Sequence, residues 1–227
     1  MDFFGESPRC SITPMRIDIV SDMICPWCYL GKRRLEVALA RHPELSAKVN
    51  WLPFELNPSM PAGGMPRDEY LGAKFGGLDT LREAESRLAG LGDQEGITYR
   101  FDRIHMSPNT RAAHALAEIA AETGQQDTIV EALFRAYFES GKDIGNLDTL
   151  LMIAASAGLE PSLVGARIAA REDWPAIEAA EQEIRSAGIT GVPFFILDRR
   201  LVLQGAQEPA AFEGAFDELA RTRGNPA

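Results

Sequence analysis

Polar and apolar side chains alternate along Arg16-Ile17-Asp18-Ile19-Val20, and this period of two predicts a strand. The run from Tyr29 to Arg41 takes up a helical period, and Val49 to Leu56 reads as a second strand. A Pro/Gly loop from Asn57 to Pro66 interrupts the pattern. Two amphipathic stretches follow, about Arg67 to Phe75 and Asp79 to Leu91. Ser107-Pro108 has the chemistry of an N-cap and first helical residue, opening a helix with Ala112, Leu116, Ile119 and Ala120 on one face and Gly124 at its end. Ile129, Val130, Leu133, Phe134, Tyr137 and Phe138 recur at helical period, as do Leu147, Leu150, Leu151 and Ala154. Pro161 starts another helix with Leu163, Val164 and Ile168 expected inward. Asp173 is expected to cap the next, which carries Ile177, Ala180 and Ile184 and stops at Gly188. An apolar strand after Pro193, a turn at Asp198-Arg199-Arg200, the strand Leu201 to Gln204 and a helix from Pro209 to about Arg221 complete the chain.

The chemistry concentrates between the first strand and the first helix, in Cys25-Pro26-Trp27-Cys28. A strand-to-helix turn presents unpaired N–H groups and the positive end of the helix dipole, which favour an anion. Cys25 is therefore expected to have a lowered pKa and to act as nucleophile. Cys28 lies one turn further on the same face, within reach of an intramolecular disulfide. Pro26 sits where its missing N–H costs nothing. A zinc half-site shares the C-x-x-C spacing, but a structural zinc site needs four ligands. The only other cysteine is Cys10, and His42, His105 and His114 form no ligand-like pair, so no metal is expected. Cys10 falls in a polar tail and reads as non-functional, and His105 and His114 read as capping or surface residues. Trp27 points from the turn toward solvent, where an aromatic is costly unless it meets a partner, so a substrate-facing role is expected.

The 227 residues, 45% hydrophobic, can bury a sizeable core, and one unit with an inserted subdomain is expected. A net charge of −10 argues against nucleic acid or an anionic membrane as partner. No apolar run reaches the ~20 residues that span a bilayer. Met1 to Cys10 lacks a basic segment followed by an apolar core, so a cytoplasmic location with largely reduced thiols is expected.

Strand, C-x-x-C, helix and strand early, then X-Pro, hairpin and helix late, follow the order of a thioredoxin fold. Ser21-Asp22 ahead of Cys25-Pro26-Trp27-Cys28-Tyr29-Leu30-Gly31, Trp51 to Pro58, Asn109-Thr110-Arg111-Ala112-Ala113-His114 and Gly191-Val192-Pro193-Phe194-Phe195 together resemble the DsbA superfamily, with the FrnE-like cytoplasmic oxidoreductases as the nearest branch. The resemblance runs from about Met15 to about Leu219. It implies an α/β fold, thioredoxin-like with a large all-helical insertion that roofs the active site. The expected parts are a tail over residues 1–14, a first thioredoxin half over 15–57, the insertion over 58–187, a second half over 188–222 and a tail over 223–227. It implies a cis Pro193 facing the disulfide and Val192 offering its backbone to the substrate. Pro26, Trp27 and Val192 become substrate-binding candidates, while Asn57 and Asn109 admit both a turn or cap role and substrate contact. The implied activity is thiol–disulfide exchange or disulfide isomerisation on protein disulfides, dithiols or small thiols, by a monomer or homodimer. No cofactor is implied beyond the redox-active disulfide itself, with glutathione as a candidate co-substrate.

Related 2-hydroxychromene-2-carboxylate isomerases and kappa-class glutathione transferases carry serine at the position of Cys25 and lack the second thiol. They also carry a Ser-Asp pair where this chain has Ala206-Gln207, which argues against a dedicated glutathione site. A glutathione-dependent isomerase or transferase and a thiol-regulated chaperone or binding module stand as the alternatives. Trp27 replaces a histidine found in strongly oxidising members, which implies a less acidic Cys25 than theirs.

Overall fold

The computed structural model describes residues 14–223, so Cys10 and most of both expected tails lie outside the described residues. Strand β1 (Met15–Ser21) leads through helix α1 (Pro26–Arg41) to strand β2 (Ala47–Pro53). β1 and β2 pair in parallel, with Ile17 opposite Val49 and Ile19 opposite Trp51. Strands β5 (Phe194–Leu197) and β6 (Leu201–Gln204) form a hairpin, and β5 runs antiparallel beside β1, giving the sheet order β2-β1-β5-β6. Asp198 and Arg199 turn the hairpin at φ 51° and 57°. One face of the sheet supplies Ile17, Ile19, Phe195 and Leu197 to a core that also takes Leu30 and Leu35 from α1 and Phe212 and Phe216 from the closing helix α9 (Pro209–Arg223). Val20, Phe54, Ile184 and Ile189 form a smaller cluster with Phe194 and Ile196 packed against it.

Between β2 and β5 the chain is almost entirely helical. It runs through the short strand β3 (Met65–Pro66), α2 (Arg67–Phe75), α3 (Leu78–Gln94), the short strand β4 (Met106–Ser107), α4 (Arg111–Ala121), α5 (Gln126–Phe134), α6 (Leu147–Ser156), α7 (Pro161–Ala170) and α8 (Trp174–Ser186). This is a DsbA-like thioredoxin fold.

Four local expectations are corrected. Ser107-Pro108 does not open α4. Ser107 pairs with Met65 across β3 and β4, and the helix starts at Arg111, whose N–H donates to Asn109 Oδ1 at 3.0 Å. Leu163 does not face inward: α7 buries Val164 and Ile168, four apart, and leaves Leu163 on its exposed flank. Asp173 stands at the start of α8 without a side-chain cap bond, because its carboxylate is held by Arg167. The strand expected to reach Leu56 stops at Pro53. Beyond it, the N–H groups of Glu55 and Leu56 are taken by the carboxylates of Glu181 and Asp22. One feature had no sequence counterpart, a π-helical turn over Arg135–Glu139 that carries α5 onward into Tyr137 and Phe138.

Candidate active site

β1 ends at the buried Ser21, and Met23 and Ile24 turn the chain toward α1. The Cys25 N–H donates to the Asp22 carbonyl at 3.0 Å, and Cys25 takes the N-cap position of α1 in extended conformation. Pro26 begins the helix without a donor to satisfy. The Asp22 carboxylate accepts from the Leu56 N–H at 2.7 Å and the Ile24 N–H at 3.4 Å, tying the turn to the segment after β2. From the other side the Tyr99 hydroxyl donates to the Pro26 carbonyl at 2.6 Å. The turn is thus clamped by the thioredoxin core and by the insertion at once.

Both thiols are free and buried, but they occupy different surroundings. Cys25 lines an open cavity of about 280 Å³ between the turn and helices α2 and α3, with Trp27, Leu71, Phe75 and Phe101 among its walls. Its thiol donates to the Val192 carbonyl at 3.8 Å. The Val192–Pro193 bond is cis and places that carbonyl just ahead of β5. Arg67 and Glu85 form an ion pair in the cavity wall, with the guanidinium 5.5 Å from the centre of the Phe101 ring. Cys28 sits behind Cys25. Burial pushes its thiol well above the ordinary range, and the adjoining Cys25 sulfur adds to the effect. The same burial, with Cys25 next in effect, pushes the Tyr99 phenol up.

Behind the turn lies a buried ionic cluster. His114 Nε2 is 3.7 Å from Asp22 Oδ1, and Glu55 pairs with Arg111 at 2.7 Å. Burial disfavours the imidazolium, yet Asp22, then Glu55 and Glu181, outweigh it and hold the His114 pKa above its ordinary value. The expectation of a surface or capping histidine is therefore corrected for His114: a carboxylate brought in from the end of β1 compensates its burial.

Cys25, Pro26, Trp27 and Val192 come together at the cavity, and Gly31 lets α1 approach Pro193 closely. Trp27 is 45% exposed and lines the cavity. Asn57 and Asn109 make hydrogen bonds within their turns. Asn57 Oδ1 accepts from the Ser59 N–H and hydroxyl, and the Asn109 amide bridges the Met60 carbonyl and the Arg111 N–H. Neither is among the cavity's lining residues. Ala206 and Gln207 are likewise engaged, the Ala206 carbonyl by Arg34 and the Gln207 amide by the Gln204 carbonyl. Tyr99, Arg67 and Phe101 escaped the sequence reading because they approach the cysteines only through the fold. The alternation Ile97, Tyr99, Phe101 was the available signal. Among the described residues no group of His, Cys, Asp and Glu is arranged to hold a metal ion, and no helix is long and apolar enough to cross a membrane.

A thioredoxin sheet with a C-x-x-C turn at the head of α1 and a cis proline beside it defines the class of thiol oxidoreductases. The chain belongs to the DSBA-like thioredoxin domain family, which it matches over residues 16–217. It is similar to a probable DsbA oxidoreductase from Streptomyces coelicolor, at 33% identity and a TM-score of 0.85, covering 94% of this chain and 92% of that one. It is 25% identical to the protein YwbO of Bacillus subtilis over 90% of this chain and 96% of the relative. The fold is shared with the glutathione-bound cytosolic disulfide reductase DsbM of Pseudomonas aeruginosa, at 19% identity and a TM-score of 0.65, covering 91% and 99% of the two chains.

Proposed function

We propose that this chain is a cytoplasmic thiol–disulfide oxidoreductase or disulfide isomerase that works through the Cys25–Cys28 dithiol. The observation that carries the reading is the asymmetry of the pair. Cys25 opens onto a substrate-sized cavity, while Cys28 lies sealed behind it with its proton held by burial. A nucleophile in front and a resolving thiol behind are what a two-step exchange needs.

In the reductive direction the Cys25 thiolate attacks one sulfur of a substrate disulfide. The substrate S–S bond breaks, its other sulfur leaves with the electron pair, and a mixed disulfide forms on Cys25. Cys28 then attacks Cys25, closing the Cys25–Cys28 bond and releasing the second substrate thiol, so two electrons pass from the dithiol to the substrate. The reverse sequence oxidises a substrate dithiol. Val192 and Pro193 supply the backbone edge beside Cys25 on which an extended substrate segment docks, and Pro26 and Trp27 flank it. The apolar walls select disulfides with aromatic or branched aliphatic neighbours, in proteins or small thiols. The redox-active disulfide is the only cofactor required, and two molecules of glutathione can serve as the co-substrate that reduces it back to the dithiol, leaving as glutathione disulfide.

Insulin reduction with dithiothreitol as electron source tests the reading. Wild-type protein is expected to turn over, Cys25→Ser to be inert, and Cys28→Ser to accumulate mixed disulfides visible by mass spectrometry. Turnover surviving in Cys25→Ser removes the reading. An inactive wild type that instead converts a chromene carboxylate with glutathione moves the chain to the isomerase branch.

A further inference from the structure

Ser21 closes β1 directly beneath the cysteine turn and is wholly buried, with its backbone carbonyl occupied by the Phe54 N–H. Its hydroxyl oxygen has no hydrogen-bond partner. A buried hydroxyl without a partner costs stability and calls for an explanation. The sulfur of Cys28 supplies one. The Ser21 hydroxyl and the Asp22 backbone amide are the two groups that favour the Cys28 thiolate, against burial and Cys25, which oppose it. The other titratable group that senses Cys28 is the Tyr99 hydroxyl, and that donor is committed to the Pro26 carbonyl. The Asp22 carboxylate is committed to the N–H groups of Leu56 and Ile24. Ser21 Oγ is therefore the side-chain donor beside Cys28 that is left uncommitted. A neutral thiol is a weak acceptor, whereas a thiolate is a strong one.

We propose that Ser21 is a catalytic hydrogen-bond donor for the resolving step, its hydroxyl engaging Cys28 Sγ as that sulfur loses its proton. The proposal rests on the dithiol-exchange reading and adds a residue to it. In the step concerned, Cys28 Sγ attacks Cys25 Sγ of the mixed disulfide. The Cys25–Cys28 bond forms, the bond from Cys25 to the substrate breaks, and the substrate sulfur leaves with the electron pair. The proton given up by Cys28 ends on that departing thiolate, so no outside oxidant or base is needed. Ser21 keeps its own proton throughout. Its hydroxyl compensates the negative charge that burial makes costly, at the one stage where the charge exists.

The test separates the two chemical steps by stopped flow with a small aromatic disulfide. Ser21→Ala is expected to leave the attack by Cys25 within two-fold of wild type. Resolution should slow about ten-fold or more, the scale of one hydrogen bond to a charged group, so that the mixed disulfide accumulates. Ser21→Thr and Ser21→Val have equal shape and differ in the hydroxyl alone, so they serve if Ser21→Ala fails to fold. The threonine variant should resolve about ten-fold faster than the valine variant. Equal resolution rates in that pair, or equal slowing of both steps in Ser21→Ala, overturn the role. A second readout does not depend on turnover. In a Cys25→Ala background, Ser21→Ala should move the pH midpoint of Cys28 alkylation upward by about one unit or more. Should the wild type exchange no disulfide at all, the oxidoreductase reading fails, and the alkylation midpoint still decides whether Ser21 stabilises the Cys28 thiolate. An unmoved midpoint overturns the assignment.

Discussion

Gly31 brings α1 close to Phe195 of β5 and to Pro193 just ahead of that strand. A Cβ built there lies 3.0 Å from Phe195 Cζ, 3.2 Å from Pro193 Cγ and 3.5 Å from Ala206 Cα. Two effects of Gly31→Ala compete. Alanine stabilises a helix interior over glycine by roughly 1 kcal/mol. Overpacking a dense core costs about 1–3 kcal/mol. Which wins depends on whether the neighbours can give way. Phe195 is wholly buried and edge-on to Phe212 with ring centres 4.9 Å apart, and Pro193 is a rigid ring fixed by its own backbone. Neither is the free end of a flexible side chain, so the steric cost should fall near the top of its range. The expected net is a loss of about 1–2 kcal/mol, which in a chain of this size lowers Tm by roughly 2–8 °C. The strand start would yield by a few tenths of an ångström and shift the Val192 carbonyl against Cys25 Sγ, so the attack step should slow together with the loss of stability. Calorimetry of the reduced protein and stopped-flow exchange check the two halves. A Tm equal to or above wild type would refute the packing argument, and an unchanged attack rate in a destabilised variant would detach the strand from substrate docking.

Further outcomes follow from the same geometry. The raised His114 pKa makes a stabilising contribution that is complete below the unfolded value of about 6.5 and lost as pH rises through the folded value, because the folded state then binds the extra proton. Urea unfolding across neutral pH should show that fall, and His114→Gln should flatten it; an unchanged slope would contradict the charged assignment. Tyr99→Phe removes the clasp on the Pro26 carbonyl and should cost about 0.5–1.5 kcal/mol, the net worth of one hydrogen bond, read by denaturant midpoint. A cost below the error of measurement would show that the clasp is idle. Trp27→Ala should leave stability within about 0.5 kcal/mol, as for other surface changes, but lower kcat/KM for disulfides with apolar neighbours more than for hydrophilic ones; equal losses would remove Trp27 from substrate selection. With limiting iodoacetamide at neutral pH, Cys25 should be labelled before Cys28, whose thiol burial holds protonated. Peptide mapping that finds Cys28 first would reverse their roles.

The parts of the site legible in the sequence are those whose chemistry is local. Alternation in Arg16 to Val20, the two cysteines one turn apart and Gly-Val-Pro before an apolar run each declare themselves within about ten residues, and their order implied the thioredoxin halves. Ser107-Pro108 misled because it has the composition of a helix start, while the deciding interaction is its pairing with Met65 across a separate loop. His114 could not be placed from its own helix, since a histidine among alanines reads as surface until a carboxylate arrives to meet it. Leu163 erred for a simpler reason. An apolar residue beside a buried face satisfies the period without lying on it, and α7 is too lightly covered to bury its flank. Tyr99 needed both obstacles overcome, a loop position and a partner on another element.

The pairing of β1 with β5 joins residues 17–20 to residues 194–197, near the opposite end of the chain. During synthesis at about 5–20 residues per second, roughly 10–30 s separate the emergence of Cys28 from that of β5. Throughout that interval the sheet lacks its central partner, and Cys25 has neither the Val192 carbonyl beside it nor a finished cleft around it. A nascent chain thus carries its thiols before it carries the means of choosing what they react with. The reducing state of the surroundings in which the ribosome works then guards the pair, a task the finished molecule takes over only when its last sixth has been made.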